Sequence, residues 1–254
     1  MRPMFSLISR EFTAYFLSPV AYVTLFFFLL VTGLIFWDVM NLLTLPGTAG
    51  VEYPMQAMYG DVRFWLVFLF IPPMLTMRLF AEERGTGTLE TLMTAPIRDW
   101  QVVAGKFIAC MMFYVVLWLP TLLYLPVLVN FNWTAWQPRI DALPVLTTYL
   151  GLFFAGGMLM AIGLLVSSLV KSQIVAALVA LLISLGLIVP AFIRTGYEPS
   201  SLRALLIKYA SVPEHFRNDF CRGIVDTRHL ALYITATVFC LFLTVRSLEA
   251  RRLG

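Results

Sequence analysis

Charge is what this sequence has least of. Of its 254 residues only 13% are Asp, Glu, Lys or Arg and 60% are hydrophobic, with a mean hydropathy of +0.86. Soluble domains carry about 25% charged residues. A chain so poor in polar surface is expected to be an integral membrane protein. Cysteine is scarce too: Cys110, Cys221 and Cys240 are scattered and give neither a metal-ligand spacing nor a disulfide framework. The two histidines, His215 and His229, each stand alone, without a Cys or His at ligand spacing. The net charge of +4 and pI near 9.1 do not indicate nucleic acid, because the basic residues sit at the ends of apolar runs and form no stripe. Lipid headgroups are their expected partners. The first residues lack the order of a cleavable signal peptide, so no cleavage is expected. A phosphate-binding Walker A loop is also missing. Gly105-Lys106 is the one Gly-Lys pair, but Trp100 and Phe107 stand where that motif needs Gly and Ser or Thr. This chain is therefore expected neither to hydrolyse ATP nor to bind a cofactor, and not to be an enzyme.

What is present is a series of long apolar runs. Residues 20–37, 64–79, 102–129, 146–170, 173–193 and 230–245 are each long and apolar enough to cross a bilayer, predicting an all-α membrane domain of six transmembrane helices over residues 1–254. Ahead of them, residues 1–18 place Phe5, Ile8, Phe12, Tyr15 and Phe16 on one face and polar residues on the other, as an interfacial helix does. Ser18-Pro19 ends it. Within the second span, Pro72-Pro73 predicts a kink or local unwinding. Pro120 and Pro126 fall in the outer half of the long third span. The fourth carries Gly156, Gly157, Ala161 and Gly163, small residues that allow helices to approach closely. Trp133 and Trp136 suit an aromatic belt in the loop before it. Residues 194–229 form the longest loop, on the outer side.

The exception to all this apolarity is residues 78–106, RLFAEERGTGTLETLMTAPIRDWQVVAGK. Buried in hydrocarbon, the cluster Arg78, Glu82, Glu83 and Arg84 would cost roughly 2.5–3.5 kcal/mol per charge on insertion scales, so it belongs in water or against another protein. Gly85 and Gly87 loosen the backbone, and Thr86 or Thr88 is placed to cap a helix. Glu90 falls in its first turn, where negative charge suits the helix dipole. Leu89, Leu92 and Met93 recur at i, i+3 and i+4, giving a short amphipathic helix from Thr88 to Ala95. Pro96 stops it, and Asp99 is expected to cap the next helix, which carries Lys106 in its first turns.

The string AEER-x-x-GTLE-x-L-x-x-x-P, followed by GK at Gly105-Lys106, resembles the cytoplasmic loop of type-2 ABC exporter permeases. The likeness is strongest to those associated with gliding motility and nitrous oxide reductase maturation. SREFTAYFLSPVAYV, SSLVKSQIVAA, VPEHF and RGIVDTRHLALY are similar to other parts of that family, the first being its "elbow" helix and first span. The resemblance implies six spans, an N-terminal elbow helix, a cytoplasmic coupling helix between spans 2 and 3 within residues 82–100, and short outer helices between spans 5 and 6. It implies that Leu89 and Leu92 anchor in a groove of a separate ABC ATPase subunit, present in two copies that bind ATP and Mg. Glu82, Glu83 and Glu90 would supply polar or ionic contacts, Gly87, Thr88 and Pro96 the shape of the loop, and Lys106 a headgroup or loop partner at the base of the third span. A second permease copy or paralogue completes the assembly in the bacterial cytoplasmic membrane, with both termini cytoplasmic and an outer accessory protein as a further partner.

The residues themselves leave other classes open. A structural anchor of a motility or export complex would have the same composition. An intramembrane enzyme needs catalytic polar groups inside its spans, and a secondary transporter an ionisable coupling residue at mid-membrane. The middles of these runs contain no Asp, Glu or His. Charge orients the chain only weakly, the 18 Lys and Arg dividing ten inside to eight outside when both termini face inward. Spans rich in Phe, Leu and Val suit a lipid-linked or amphipathic cargo, and their lipid-facing surfaces would look the same.

Overall fold

The computed structural model describes residues 2–44, 54–88, 98–130, 141–192 and 209–252, and all regular structure among them is helical. Helix α1 (Arg2–Leu17) is followed by α2 (Pro19–Thr44), a short α3 (Pro54–Tyr59), α4 (Val62–Thr76) and a single-turn foot, α5 (Ala81–Thr86). Next come α6 (Asp99–Trp118), a 3₁₀ turn (Leu119–Leu123), α7 (Tyr124–Asn130), α8 (Ala142–Leu169) and α9 (Gln173–Ile188) with a closing 3₁₀ turn (Val189–Phe192). An outer cap of α10 (Val212–Asn218) and a 3₁₀ turn (Phe220–Arg222) leads into α11 (Thr227–Arg252). Among the described residues, six helices are long and apolar enough to cross a membrane. The molecule is thus an all-α, multi-pass membrane protein.

The spans starting at Val62, Asp99 and Ala142 are mostly buried in the chain's own packing, whereas α2, α9 and α11 bury only a minor share of theirs. Helix α4 lies at the centre, against α2, α8 and α9, and α8 makes its most extensive contact with α11. Close approach is set by α8. A Cβ at Gly156 would collide with the Tyr114 ring, and one at Gly163 with the Thr76 hydroxyl, so only glycine lets α6 and α4 come so near. Hydroxyls in the apolar spans bond back to their own helices, as Thr32 Oγ1 does to the Phe28 carbonyl at 2.8 Å.

Three expectations about local structure need correction. The helix of the first span, α2, does not end at Trp37 but continues past Asp38 to Thr44, since Asp38 is half exposed at the surface and pairs there with the Arg63 guanidinium of α4. At Pro72-Pro73 the helical pattern is not broken. The Pro73 carbonyl accepts from the Met77 N–H at 2.9 Å, and the interruption falls one turn later, at Met77–Phe80. In the third span Pro120 produces the 3₁₀ turn that separates α6 from α7, since proline cannot donate in the α-helical ladder. The sixth span's helix starts at Thr227, not Leu230, and runs on past Val245.

Candidate functional site

The charged loop enters the described structure through its two ends. On the near side, the break after α4 leaves the Leu75 carbonyl outside the helical ladder, because the Leu79 N–H turns to the Thr76 carbonyl at 3.1 Å. Tyr15 of α1 fills that gap, its hydroxyl donating to the Leu75 carbonyl at 2.8 Å. Burial pushes the Tyr15 phenol well above its ordinary value, so it stays protonated and remains the donor. The Arg78 guanidinium lies over the same ring at 4.9 Å.

Foot helix α5 starts at Phe80, whose side chain cannot cap it. The cap comes from α8: Ser167 Oγ accepts from the Phe80 N–H at 3.1 Å and the Ala81 N–H at 3.0 Å, and donates to the Met77 carbonyl at 3.1 Å. Arg84 reaches the other way, donating to the Ser168 and Val170 carbonyls at 2.7 and 3.1 Å, where the C-terminus of α8 presents unpaired acceptors and the negative end of its dipole. Thr86 is the last residue of α5, and Gly87, at φ 76°, is its left-handed C-cap. The helix that Thr86 or Thr88 is expected to cap lies outside the described residues. Thr86 itself closes α5, its hydroxyl donating to the Glu82 carbonyl at 2.9 Å. On the far side, Arg98 and not Asp99 occupies the cap of α6, with Gln101 accepting from the Arg98 N–H at 3.2 Å and Asp99 contributing its charge to the first turn.

Lys106 joins these ends. It is 1% exposed, and its ammonium donates to Glu83 Oε1 of the foot at 2.8 Å and to Glu11 Oε1 of α1 at 3.3 Å, lying 5.3 Å from the Phe80 ring centre. Arg10 closes the network, 2.8 Å from Glu11 and 3.9 Å from Glu83. Burial pushes the Glu11 carboxyl up, and the Lys106 ammonium and Arg10 more than offset this, leaving it below its ordinary value. Of the sequence-derived residues, Glu83 and Lys106 meet at this base and the Thr88 hydroxyl donates to the Glu83 carbonyl at 3.4 Å, while Glu82 and Gly87 are exposed. Leu89, Glu90, Leu92 and Pro96, with the amphipathic helix they define, lie outside the described residues. Sequence reasoning missed Glu11, Tyr15, Arg84 and Ser167 as parts of the site. The signals were there: an acid in a membrane-surface helix, and a serine pair ahead of a charged turn.

On the opposite face the two histidines are not isolated. Their rings stack with centroids 3.7 Å apart, His215 Nδ1 lies 2.8 Å from the Tyr233 hydroxyl, and His229 Nε2 lies 3.0 Å from Asp219 Oδ2. They stand 14 positions apart in the chain, so only the folding of the cap onto α11 brings them together. Among the described residues no group of three or more His, Cys, Asp and Glu is arranged to hold a metal. Between α6, α8 and α11 a groove of about 620 Å³ opens toward the lipid, lined by apolar side chains such as Met111, Phe153 and Val238.

Six apolar helices around a buried centre, with one charged foot tied to several of them, define a multi-pass membrane protein with a surface connection at the second-to-third-span loop. Residues 51–205, more than half of the chain and including that loop, match the family model described as ABC-2 family transporter protein, and the chain belongs to this family. It is a membrane permease component of that family, whose members generally pair with an ATPase subunit. No curated protein matches the chain.

Proposed function

We propose that this chain is the transmembrane half of an ATP-driven exporter, with ATP and Mg bound and hydrolysed on a separate ATPase subunit that docks on residues 82–100. In this reading Leu89 and Leu92 seat in the ATPase groove, Glu82 and Glu90 make polar contacts at its rim, and Gly87, Thr88 and Pro96 shape the loop. Glu83 and Lys106 fasten it to the spans. Two ATPase copies would act on two membrane halves, the second a copy of this chain or a paralogue, in the bacterial cytoplasmic membrane with both termini inside. We read the likeness of its loop sequence as a kinship with the permeases associated with gliding motility and nitrous oxide reductase maturation. Its work is then export, or mechanical transmission to an outer partner through residues 194–229.

The observation that supports this reading is the fastening of α5. Ser167 and Arg84 tie it to α8, and Lys106 ties it to α6 and, through Glu11, to α1. Any displacement of the foot is carried into three helices at once, which is what a subunit driven from outside the membrane requires. The test is co-purification and ATPase turnover with the ATPase expressed beside it, comparing wild type with Leu89→Asp plus Leu92→Asp. Release of the ATPase from a still-folded permease is the expected result. An ATPase that stays bound with unchanged turnover reduces residues 82–100 to an ordinary interfacial loop.

A further inference from the structure

The outer face carries arginines that neither the coupling reading nor the general tendency of Lys and Arg to face the cytoplasm explains. Arg217, Arg222 and Arg228 are all exposed, and their guanidinium groups make no ion pair or hydrogen bond among the described residues. The acids beside them are turned to other uses. Asp219 Oδ2 is 3.0 Å from His229, Glu214 Oε2 accepts from Asn218 at 3.0 Å, and Asp226 Oδ1 accepts from the Arg228 backbone N–H at 2.8 Å. The three arginines are thus more exposed than the half-buried Glu214, Asp219 and Asp226 beside them.

Between Arg222 and Arg228 the chain exposes two apolar residues in succession, Ile224 at 53% and Val225 at 42%. Gly223, at φ 85°, makes the turn that presents them, and a Cβ there would meet Leu143 and Pro144 at 3.4 Å. The turn thus rests on the head of α8, beside the exposed Leu143 and Leu146, just before α11 begins. Two membrane-crossing helices start at this level, so the turn lies at the bilayer boundary on the face opposite the foot helix. An exposed apolar pair at this boundary, bracketed in the chain by the exposed Arg222 and Arg228, is complementary to an amphiphile with a phosphate head. Guanidinium groups bind phosphate oxygens through parallel N–H donors, and the apolar pair enters beneath the head.

We propose that the turn Arg222–Arg228, together with Arg217, is a seat for the phosphate headgroup of an anionic phospholipid in the leaflet opposite the coupling loop. It holds the outer cap, and through it the head of α11, against the membrane.

The test is native mass spectrometry of the full chain in detergent, titrated with phosphatidylglycerol, with phosphatidylcholine and with inorganic phosphate. Wild type is expected to retain phosphatidylglycerol over phosphatidylcholine. Neutralising Arg217→Gln, Arg222→Gln and Arg228→Gln one after another should weaken retention by roughly fivefold each. Ile224→Ser with Val225→Ser should weaken it while leaving the charge intact, and Arg246→Gln at the far end of α11 should not. All these side chains are exposed, so the variants retain the fold, which circular dichroism checks. Equal retention by the arginine variants and wild type overturns the proposal. So does an equal loss with Arg246→Gln, which would mean undirected charge attraction, or competition by inorganic phosphate as strong as the lipid's, which would mean a site for a free anion.

Discussion

Lys106 and Glu83 stand at opposite ends of the charged loop, 23 residues apart in the chain, and meet as a 2.8 Å ion pair. The loop is thereby closed at its base on a side chain withdrawn from water, and Glu11 of α1 shares the same ammonium.

Removing that ammonium leaves Glu83 with only the Arg10 guanidinium, 3.9 Å away, which Glu11 already engages at 2.8 Å. Lys106→Met is expected to destabilise the protein by about 3 kcal/mol, the usual cost of breaking a buried pair from one side. Lys106→Arg should retain most of the stability, and adding Glu83→Gln to Lys106→Met should restore part of the loss. Unfolding midpoints of the detergent-solubilised protein would decide. A fully neutral Lys106→Met would mean the network contributes nothing.

Ser167 carries a hydrogen-bonding load out of proportion to its size. Ser167→Ala leaves the Phe80 and Ala81 N–H groups without their acceptor, at about 1–3 kcal/mol in all. Amide exchange at these two positions should accelerate while the amides of α4 before Pro72 remain protected. Uniform acceleration across α4 would show that Ser167 holds the span and not the foot.

The two adjacent glycines of α8 should behave differently. Gly156→Ala drives a methyl into the Tyr114 ring, whose hydroxyl donates to the Leu152 carbonyl at 2.9 Å, and is expected to lose about 1–3 kcal/mol. At Gly157 the same methyl would meet the Met111 methyl at 3.5 Å, an ordinary contact, so Gly157→Ala should change stability little. Similar thermal midpoints for the two variants would contradict the packing described here.

Acid should loosen α1 before it loosens the spans. The Glu11 carboxyl is held below its ordinary value of 4.5, so its contribution is fully present above that pH and is lost as pH falls through the lowered value. Asp61, where burial raises and Arg63 more than lowers the carboxyl, acts in the same direction at the head of α4. A spin label at position 5 should therefore gain mobility on acidification below pH 4.5, and Glu11→Gln should remove the pH dependence of that change. A step of the same size in Glu11→Gln would assign the loosening to other groups.

Length and polarity made much of this protein readable before any coordinates. An apolar run long enough to cross a bilayer has one folded form open to it, a helix, because the hydrocarbon core offers its backbone no other hydrogen-bonding partner. The presence of six spans and the charged stretch between the second and third follow from that constraint, and the string around Glu82 to Glu90 was specific enough to suggest the family. What the sequence could not decide were contacts between residues distant along the chain. Nothing near Asp38 announces Arg63, nothing near Phe80 announces Ser167, and His215 and His229 seem isolated until the cap folds back. A polar group near a membrane must be satisfied, yet its sequence does not say by whom. Tertiary packing brings the partner, and so decides that Lys106 turns inward to Glu83 and Glu11 while Arg217, Arg222 and Arg228 are left facing out.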